Sequence, residues 1–420
     1  MSVKLNEDPF PQYRSGCSDR TAGTPMQSLT NMNEKNAAPD REIPRVFVAE
    51  YLTGGGMFDT PVDAINGPLL GEAVAMWGCL VEDVLAWGQV CTPIDPRLSL
   101  SLPDHDRIQS HPMQPCLAPW EQWIKLARDC EFAILVIPET DGLLTKGISL
   151  MRAAGIEVLA PNGAAIGVSA DKWASAKWLH HEGIAHPDTW SLDRQRWSDK
   201  HRSHPCSRIA SPNGTAFSRT DPVFSGFPEN GYLIKPRDGC GSMSIRQYDE
   251  LEPALASMQT HEITQQRLGG RSASVIVIGD RLGGDRIMLP AVWQDIEEVP
   301  LAQRVDGATT SHLIQRGGCG PVPVEMQLRA HALVDRVLQA LPGRTCGFIG
   351  IDLILGDDAN HDAVIEINAR LTTSYIGLRQ MSDTNLTERL FRPNLPAPHI
   401  LVPTESVCWQ IDLHVPAIGN

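Results

Sequence analysis

The chain has 420 residues, with 36 Lys and Arg against 50 Asp and Glu, a formal net charge of -14 at pH 7. That length suffices for a large core in two or three subdomains, and the acidic balance argues against a nucleic-acid or membrane-surface binder, which needs clustered positive charge. Its ten Cys include no Cys-x-x-Cys pair, the N-terminus lacks a signal-peptide pattern and no apolar run reaches transmembrane length, so reduced cytoplasmic thiols and small-molecule partners are expected. Nothing in the sequence opposes a homodimer.

Residues 1 to 44 carry Pro, Asn, Ser, Lys and Glu without sustained periodicity and read as a disordered leader. A buried strand follows at 46 to 52, then Thr53-Gly-Gly-Gly56, a helix over about 68 to 88, and strands at 131 to 137 and 155 to 159 with a helix between them. This alternation predicts an N-terminal parallel α/β domain over 45–165. The triple glycine suits a close backbone approach to a ligand, or an ordinary strand-to-helix turn. A helix at 171 to 182 opens a small α+β module, 166–271, whose strands at 231 to 235, 244 to 246 and 262 to 265 flank a helix. Residues 193–229, rich in Ser, Pro, His and Arg, form a loop insertion with no core pattern. Within it His201-x-x-His204-x-Cys206 offers half of a zinc site but no second ligand pair at useful spacing. Strands dominate 272–395, with one long helix at 324 to 341, and the Pro-rich tail 396–420 could pack only as an edge. The predicted class is α/β plus α+β.

The chemistry concentrates in Gly347-Phe-Ile-Gly-Ile-Asp352-Leu-Ile-Leu, a polar turn, and Ala363-Val-Ile-Glu366-Ile-Asn368-Ala-Arg370. Two apolar runs around turn residues predict an antiparallel hairpin. Glu366 and Asn368, two apart, share one face, while Ile365 and Ile367 anchor the other. Asp352 from the first strand could join them around one cation, and hard oxygen donors suit Mg2+ or Mn2+ carried by a nucleotide. Acids that are solvated or paired with Arg are the alternative for this segment.

Leu233-Ile-Lys235-Pro-Arg-Asp-Gly239-Cys-Gly241-Ser242 places a Lys at a strand end before a glycine loop. Gly239, Gly241 and Ser242 can offer backbone N–H groups to phosphoryl oxygens while Lys235 neutralises charge, although a lone Gly-x-Gly also fits a hairpin turn. Asp171-Lys172 starts a helix and offers a second Lys. Gln265-Gln266-Arg-Leu268 lies at a strand-to-strand junction where a purine could be read by backbone groups and a Gln side chain.

Lys172, Lys235, the Gln265 hinge, Asp352, Glu366 and Asn368 follow one another in an order that resembles the ATP-grasp superfamily. The resemblance implies an ATP-grasp fold behind a pre-ATP-grasp domain, with ATP and Mg2+ as cofactors. It makes Lys172 and Lys235 phosphate binders, Gln265, Gln266 and Leu268 the adenine hinge, and Asp352, Glu366 and Asn368 metal ligands. Lys235 and Arg370 would act on the transferring phosphoryl group. Glu50-Tyr-Leu-Thr-Gly-Gly-Gly56, Pro138-Glu-Thr-Asp-Gly142 and Asn368-Ala-Arg-Leu-Thr-Thr-Ser374-Tyr-Ile-Gly377-Leu-Arg379 are more narrowly similar to the tyramine–glutamate ligases of methanofuran biosynthesis and their bacterial relatives. That likeness implies amide formation between glutamate and tyramine or a related aromatic amine. Thr372, Thr373 and Ser374 would orient the acceptor, unless they cap a helix. Arg379 could pair with a substrate carboxylate, or with an Asp of the chain. The sequence departs from the superfamily where Gln265-Gln266 replaces the usual hinge Glu and Gly269-Gly-Arg271 replaces a ribose-binding acid. A ligase for another amino acid or peptide, and a non-catalytic nucleotide-binding regulator, are the remaining alternatives.

Overall fold

The computed structural model describes residues 43–65, 67–192, 207–208, 228–239, 245–284, 286–300, 309–392, 395 and 406–412. The expected leader, apart from Ile43 and Pro44, lies outside the described residues, as does most of the 193–229 insertion with His201, His204 and Cys206.

The chain opens with β1 (Arg45–Glu50), α1 (Gly67–Leu85), β2 (Gln89–Ile94), β3 (Ile108–Pro112), α2 (Pro119–Ala127), β4 (Phe132–Val136) and α3 (Leu143–Ala153). Their sheet runs β3-β2-β1-β4, and every pairing in it is parallel, as the alternation predicts. Helices cover both faces, which is why β1 reads as an unbroken apolar run. Val46 and Val48 pack with Trp77, Leu80 and Val84 of α1, whereas Phe47 and Ala49 pack with Trp123, Leu144 and Ile148 on the opposite side. The expected strand at 155 to 159 shrinks to a single bridge between Val158 and Ala133. Conversely, β2 and β3 went unread, because β2 carries an internal Pro and β3 is a half-exposed polar edge.

Two helices, α4 (Gly163–Ser169) and α5 (Lys172–His181), lead into a second sheet. Asp171 caps α5 by accepting from the N–H groups of Trp173 and Ala174. Next come β5 (Thr189–Ser191), β6 (Ser207–Arg208), β7 (Pro228–Pro236), β8 (Ile245–Tyr248), α6 (Leu251–Ser257) and β9 (Glu262–Leu268). The chain continues through β10 (Arg271–Gly279), β11 (Arg286–Met288), β12 (Val292–Pro300), β13 (Thr309–Gly320), α7 (Val324–Ala340), β14 (Gly347–Leu355) and β15 (Ala363–Asn368). It closes with α8 (Tyr375–Met381), α9 (Glu388–Phe391) and β16 (Val407–Gln410). Strand order is β15-β14-β10-β12-β13-β8-β7-β9-β5-β6, with β11 on β10 and β16 on β13. The small module and the following strands are therefore one continuous sheet, joined where β13 pairs with β8.

Their cores differ in size. Val275, Val277, Ile349 and Ile351 lie under Leu333, Val334 and Val337 of α7 in an extensive cluster, while among the described residues of the small module Ile234, Tyr248, Ala254 and Met258 form a smaller one. At about 1.5–3 kcal/mol for each fully buried side chain, the small module is the part of this sheet held least firmly.

The expectation of reduced thiols is corrected at one position. Cys319 of β13 and Cys408 of β16 are disulfide-bonded, being opposed in the antiparallel register. Beside them Trp409 covers Gly377, where a Cβ would stand 2.1 Å from the indole, so this glycine serves packing. No helix among the described residues is long and apolar enough to cross a membrane.

Candidate functional site

β14 and β15 pair antiparallel, with Gly350 opposite Asn368 and Asp352 opposite Glu366, so the three polar side chains share a face as predicted. One reading of this hairpin is corrected. The register breaks after Asp352, and the bulge turns Ile365 toward the acidic face, where it lines a cavity, while Ile367 stays in the core. Asp352 is held on both oxygens, Oδ1 accepting from Gln294 Nε2 at 3.0 Å and Oδ2 from Asn368 Nδ2 at 3.1 Å. Burial, then the charge of Glu366 opposite, pushes the Asp352 carboxyl up to about 6. Burial also works against Glu366, but Lys172 and Lys235 outweigh it and hold this carboxyl below its ordinary value. Two facing, partly buried carboxylates with an amide oxygen beside them form a hard-oxygen donor set that fits Mg2+ or Mn2+. Among the described residues no group of three His, Cys, Asp or Glu side chains offers an alternative metal site.

Both lysines reach this face. Lys172, first residue of α5, donates to Gly239 O at 2.5 Å and pairs with Glu366 Oε1 at 3.0 Å. It is thus a bridge between the loop after β7 and the hairpin, not a solvated helix-start Lys. Arg237 reinforces the same joint through its ion pair with Asp171 at 2.5 Å. Lys235 is 9% exposed on β7. Burial pushes its ammonium down to about 8, with Glu366 opposing that shift and Lys172 adding to it. Gly241 and Ser242 lie outside the described residues.

A cavity of about 780 Å³ gathers Lys172, Lys235, Gly239, Gln265, Gln266, Leu268, Asp352, Glu366, Asn368 and Arg370 on one wall or another. The volume suits a small-molecule or nucleotide site. At the hinge, Gln265 Nε2 donates to Thr189 Oγ1 at 3.2 Å and Gln266 N–H donates to Asp188 O at 2.8 Å, which fixes β9 where it turns toward β10. Gln294, Ile296 and Glu298, alternate residues of β12, form a further wall. They were not singled out from the sequence, although Gln294 and Glu298, four apart and so on one face of a strand, were a usable signal.

The opposite end is built by the N-terminal domain. Arg370 forms a bidentate pair with Glu139, each hydrogen bond 2.9 Å long. Leu69, Glu72 and Met76 of α1 line the cavity, together with Thr140, Asp141, Thr372 and Thr373. Burial pushes Glu50 and Glu72 each up to about 7, with Arg370 opposing the shift in both. The sequence pattern does not single out Glu72, yet a lone acid within an apolar helix stretch is its signal.

Of the side chains weighed as substrate contacts, two fall elsewhere, and Arg379 takes its other alternative, an Asp of the chain. Arg379 does not line the cavity; its guanidinium pairs with Asp83, which also accepts from the Tyr375 hydroxyl. Ser374 is buried away from the cavity. Nor does the triple glycine line it: Gly55 has φ +85° and a Cβ at Gly56 would stand 2.5 Å from the Tyr51 ring, so this loop is a packed turn.

Residues 169–374 match the family model of an ATP-grasp domain, and residues 89–166 match that of a pre ATP-grasp 3 domain. No curated protein matches the chain in a sequence search. Among solved structures, a protein from Archaeoglobus fulgidus described as belonging to the ATP-grasp superfamily is 20% identical, over 83% of this chain and 87% of that one, with a TM-score of 0.55. The ADP complex of N5-carboxyaminoimidazole ribonucleotide synthetase is 11% identical, over 85% and 78%, with a TM-score of 0.54. An L-amino acid ligase from Bacillus licheniformis is 12% identical, over 86% and 75%, with a TM-score of 0.51. At these identities the likeness is one of fold.

Proposed function

From the premise that this chain joins a pre-ATP-grasp domain to an ATP-grasp domain and so belongs to the ATP-grasp superfamily, we propose that it is an ATP-dependent, ADP-forming carboxylate–amine ligase. The observation that carries this reading is the convergence of Lys172, Lys235, Asp352, Glu366 and Asn368 on one cavity that also extends to Arg370 and α1. Lysines and a carboxylate pair at one end suit a triphosphate with its cation; the space beyond them suits two further reactants.

Asp352, Glu366 and Asn368 would hold Mg2+ or Mn2+, which when bound offsets charge on phosphoryl oxygens. Lys172 and Lys235 neutralise the remaining phosphate charge, and the Gln265 to Leu268 hinge receives the base. The γ-phosphoryl group passes to a substrate carboxylate oxygen, releasing ADP. The amine then forms a C–N bond at the acyl carbon while the C–O bond to phosphate breaks. Arg370, at the junction of the two ends, balances charge on the phosphoryl or carboxylate oxygens. The weakly held small module is suited to close over the labile acyl phosphate and exclude water.

For substrates, glutamate with tyramine or a related aromatic amine, as in methanofuran-type cofactor biosynthesis, is supported by the sequence pattern at 368–379 and by Thr372 and Thr373 standing at the cavity wall. The test is ADP release by the purified protein with Mg2+, ATP and L-glutamate, with and without tyramine, followed by mass detection of the amide. A product at the mass of glutamyl-tyramine is expected. ADP release with a different amine would keep the ligase and discard this pair, and no ADP release with any carboxylate and amine would defeat the ligase reading.

A further inference from the structure

The N-terminal end of the cavity carries more negative charge than its own cations offset. Glu72 and Asp141 line it, Glu50, Glu72 and Glu139 all feel the Arg370 guanidinium, and Arg370 is already engaged by Glu139 through Nε and Nη2. The lysines are committed at the other end, where Lys172 is bonded to Glu366 and Gly239. Glu50 is satisfied locally by the Thr53 N–H at 2.8 Å. Asp141 is exposed and its N–H is bonded to Asp238 across the mouth of the cavity. Glu72 differs from all of these, being a cavity-lining carboxylate with no hydrogen-bond or ion-pair partner among the described residues. Arg370 acts on it only through its charge, its guanidinium being bonded to Glu139 and to Leu371 O, so a direct cationic partner for this carboxylate is left for the ligand to supply.

The flanking residues say what that cation is attached to. Leu69 and Met76 lie three before and four after Glu72, so the three side chains form one stripe of α1, and all three line the cavity. Facing this end is Thr372, 8% exposed, whose Oγ1 has no hydrogen-bond partner. We propose that Glu72 receives the ammonium group of an amine substrate with an apolar body, and accepts the proton that this ammonium must lose before it attacks the acyl phosphate.

The step balances. The ammonium gives one proton to the Glu72 carboxylate, and the freed nitrogen lone pair forms the C–N bond. The acyl C–O bond breaks with its electron pair on phosphate, and a second proton leaves nitrogen with the departing phosphate. Burial supports the role, since a carboxyl brought near neutrality is a better proton acceptor at working pH than an exposed one.

This inference rests on the ligase reading, so its test separates the two. Wild type, Glu72→Gln and Glu72→Asp are assayed with Mg2+, ATP and each of the common L-amino acids as carboxylate. The nucleophile is either hydroxylamine or a primary amine (tyramine, phenethylamine, hexylamine). Hydroxylamine is largely uncharged at neutral pH and traps the acyl phosphate as a hydroxamate without an ammonium receptor or a base. The ratio of amide to hydroxamate is expected to fall about a hundredfold in Glu72→Gln and to recover in part in Glu72→Asp. A parallel fall of both products in Glu72→Gln would make Glu72 merely structural and overturn the assignment. Wild-type hydroxamate without amide from any of these amines would overturn the apolar-amine class. No wild-type hydroxamate from any carboxylate would defeat the ligase reading and Glu72 with it.

Discussion

Arg370 and Glu139, separated by 231 positions in the chain, meet in a bidentate ion pair that ties the end of the β14–β15 hairpin to the N-terminal domain. Their side chains are 12% and 3% exposed, so removing one partner strands a buried charge. Glu139→Ala is expected to cost about 3–5 kcal/mol, read from urea unfolding. The double variant Glu139→Ala, Arg370→Ala should cost clearly less than the two single losses added together. Strict additivity would show that the pair is not coupled. ADP release should fall in Arg370→Ala and stay low in the double variant, because the guanidinium itself is missing in both.

Glu366 faces Asp352 across the hairpin and is bonded to Lys172, so one carboxylate stands both at the proposed cation site and at the joint to the loop after β7. Glu366→Gln should lower ADP formation by about a hundredfold or more while leaving the circular dichroism spectrum unchanged. Binding of Mn2+ in the presence of ATP, followed by electron paramagnetic resonance, should weaken in the same variant. Unchanged turnover together with unchanged Mn2+ binding would remove Glu366 from the metal site. Lys235→Met, by contrast, should raise the ATP concentration needed for half-maximal rate; a wild-type nucleotide dependence would take Lys235 out of the phosphate site.

The hairpin was legible because its signal is local: apolar alternation, a polar turn and a two-residue spacing place Asp352, Glu366 and Asn368 on one face before any tertiary contact is known. The bulge that re-aims Ile365 is set by pairing register, which a single strand does not encode. Glu139 stood inside a quoted motif, yet its partner lies in a different domain, and no periodicity reports a contact across that distance. In the sequence Arg379 stays open between a substrate carboxylate and an Asp of the chain for the same reason. Its partner Asp83 sits on α1, 296 positions away, and a cation beside a substrate-like motif looks identical whether it faces a ligand or a neighbouring helix. The small module's strands were read from their flanking turns, but their continuity with β13 depends on a β8 pairing between segments with no shared local pattern.

Cys319 and Cys408 staple the C-terminal strand across a sequence separation of 89 residues. Closing a loop of that length restricts the unfolded chain, and the contribution is expected to be about 2–4 kcal/mol. Dithiothreitol should therefore lower the urea midpoint of the wild type. The variant Cys319→Ser, Cys408→Ser should match the reduced wild type and show no response to reductant. Equal midpoints for oxidised and reduced wild type would mean that β16 is held by its pairing with β13 and by Trp409 packing, without help from the covalent link.

Glu50 gives the fold a definite pH signature. Burial pushes its carboxyl from an ordinary 4.5 up to about 7, with the Thr53 N–H and, more weakly, Arg370 pulling the other way. Between those two values the folded chain keeps a proton that the unfolded chain has released, so the folded state binds more protons and stability falls as pH rises. The contribution is complete below the unfolded value and is lost as pH climbs through about 7. Glu72, raised to about 7 by the same cause, adds a slope of the same sign. Gln at position 50 is neutral at every pH, and its amide oxygen can still accept from the Thr53 N–H, so Glu50→Gln should remove one slope without breaking the turn. Urea midpoints across acid to mildly alkaline pH should show the wild type losing stability toward high pH and the variant losing less. The two curves should converge at the acid end and separate above neutrality by on the order of 3 kcal/mol at most. Curves that stay parallel throughout would mean that Glu50 is charged in the folded protein at neutral pH, with the turn donors and Arg370 together outweighing its burial.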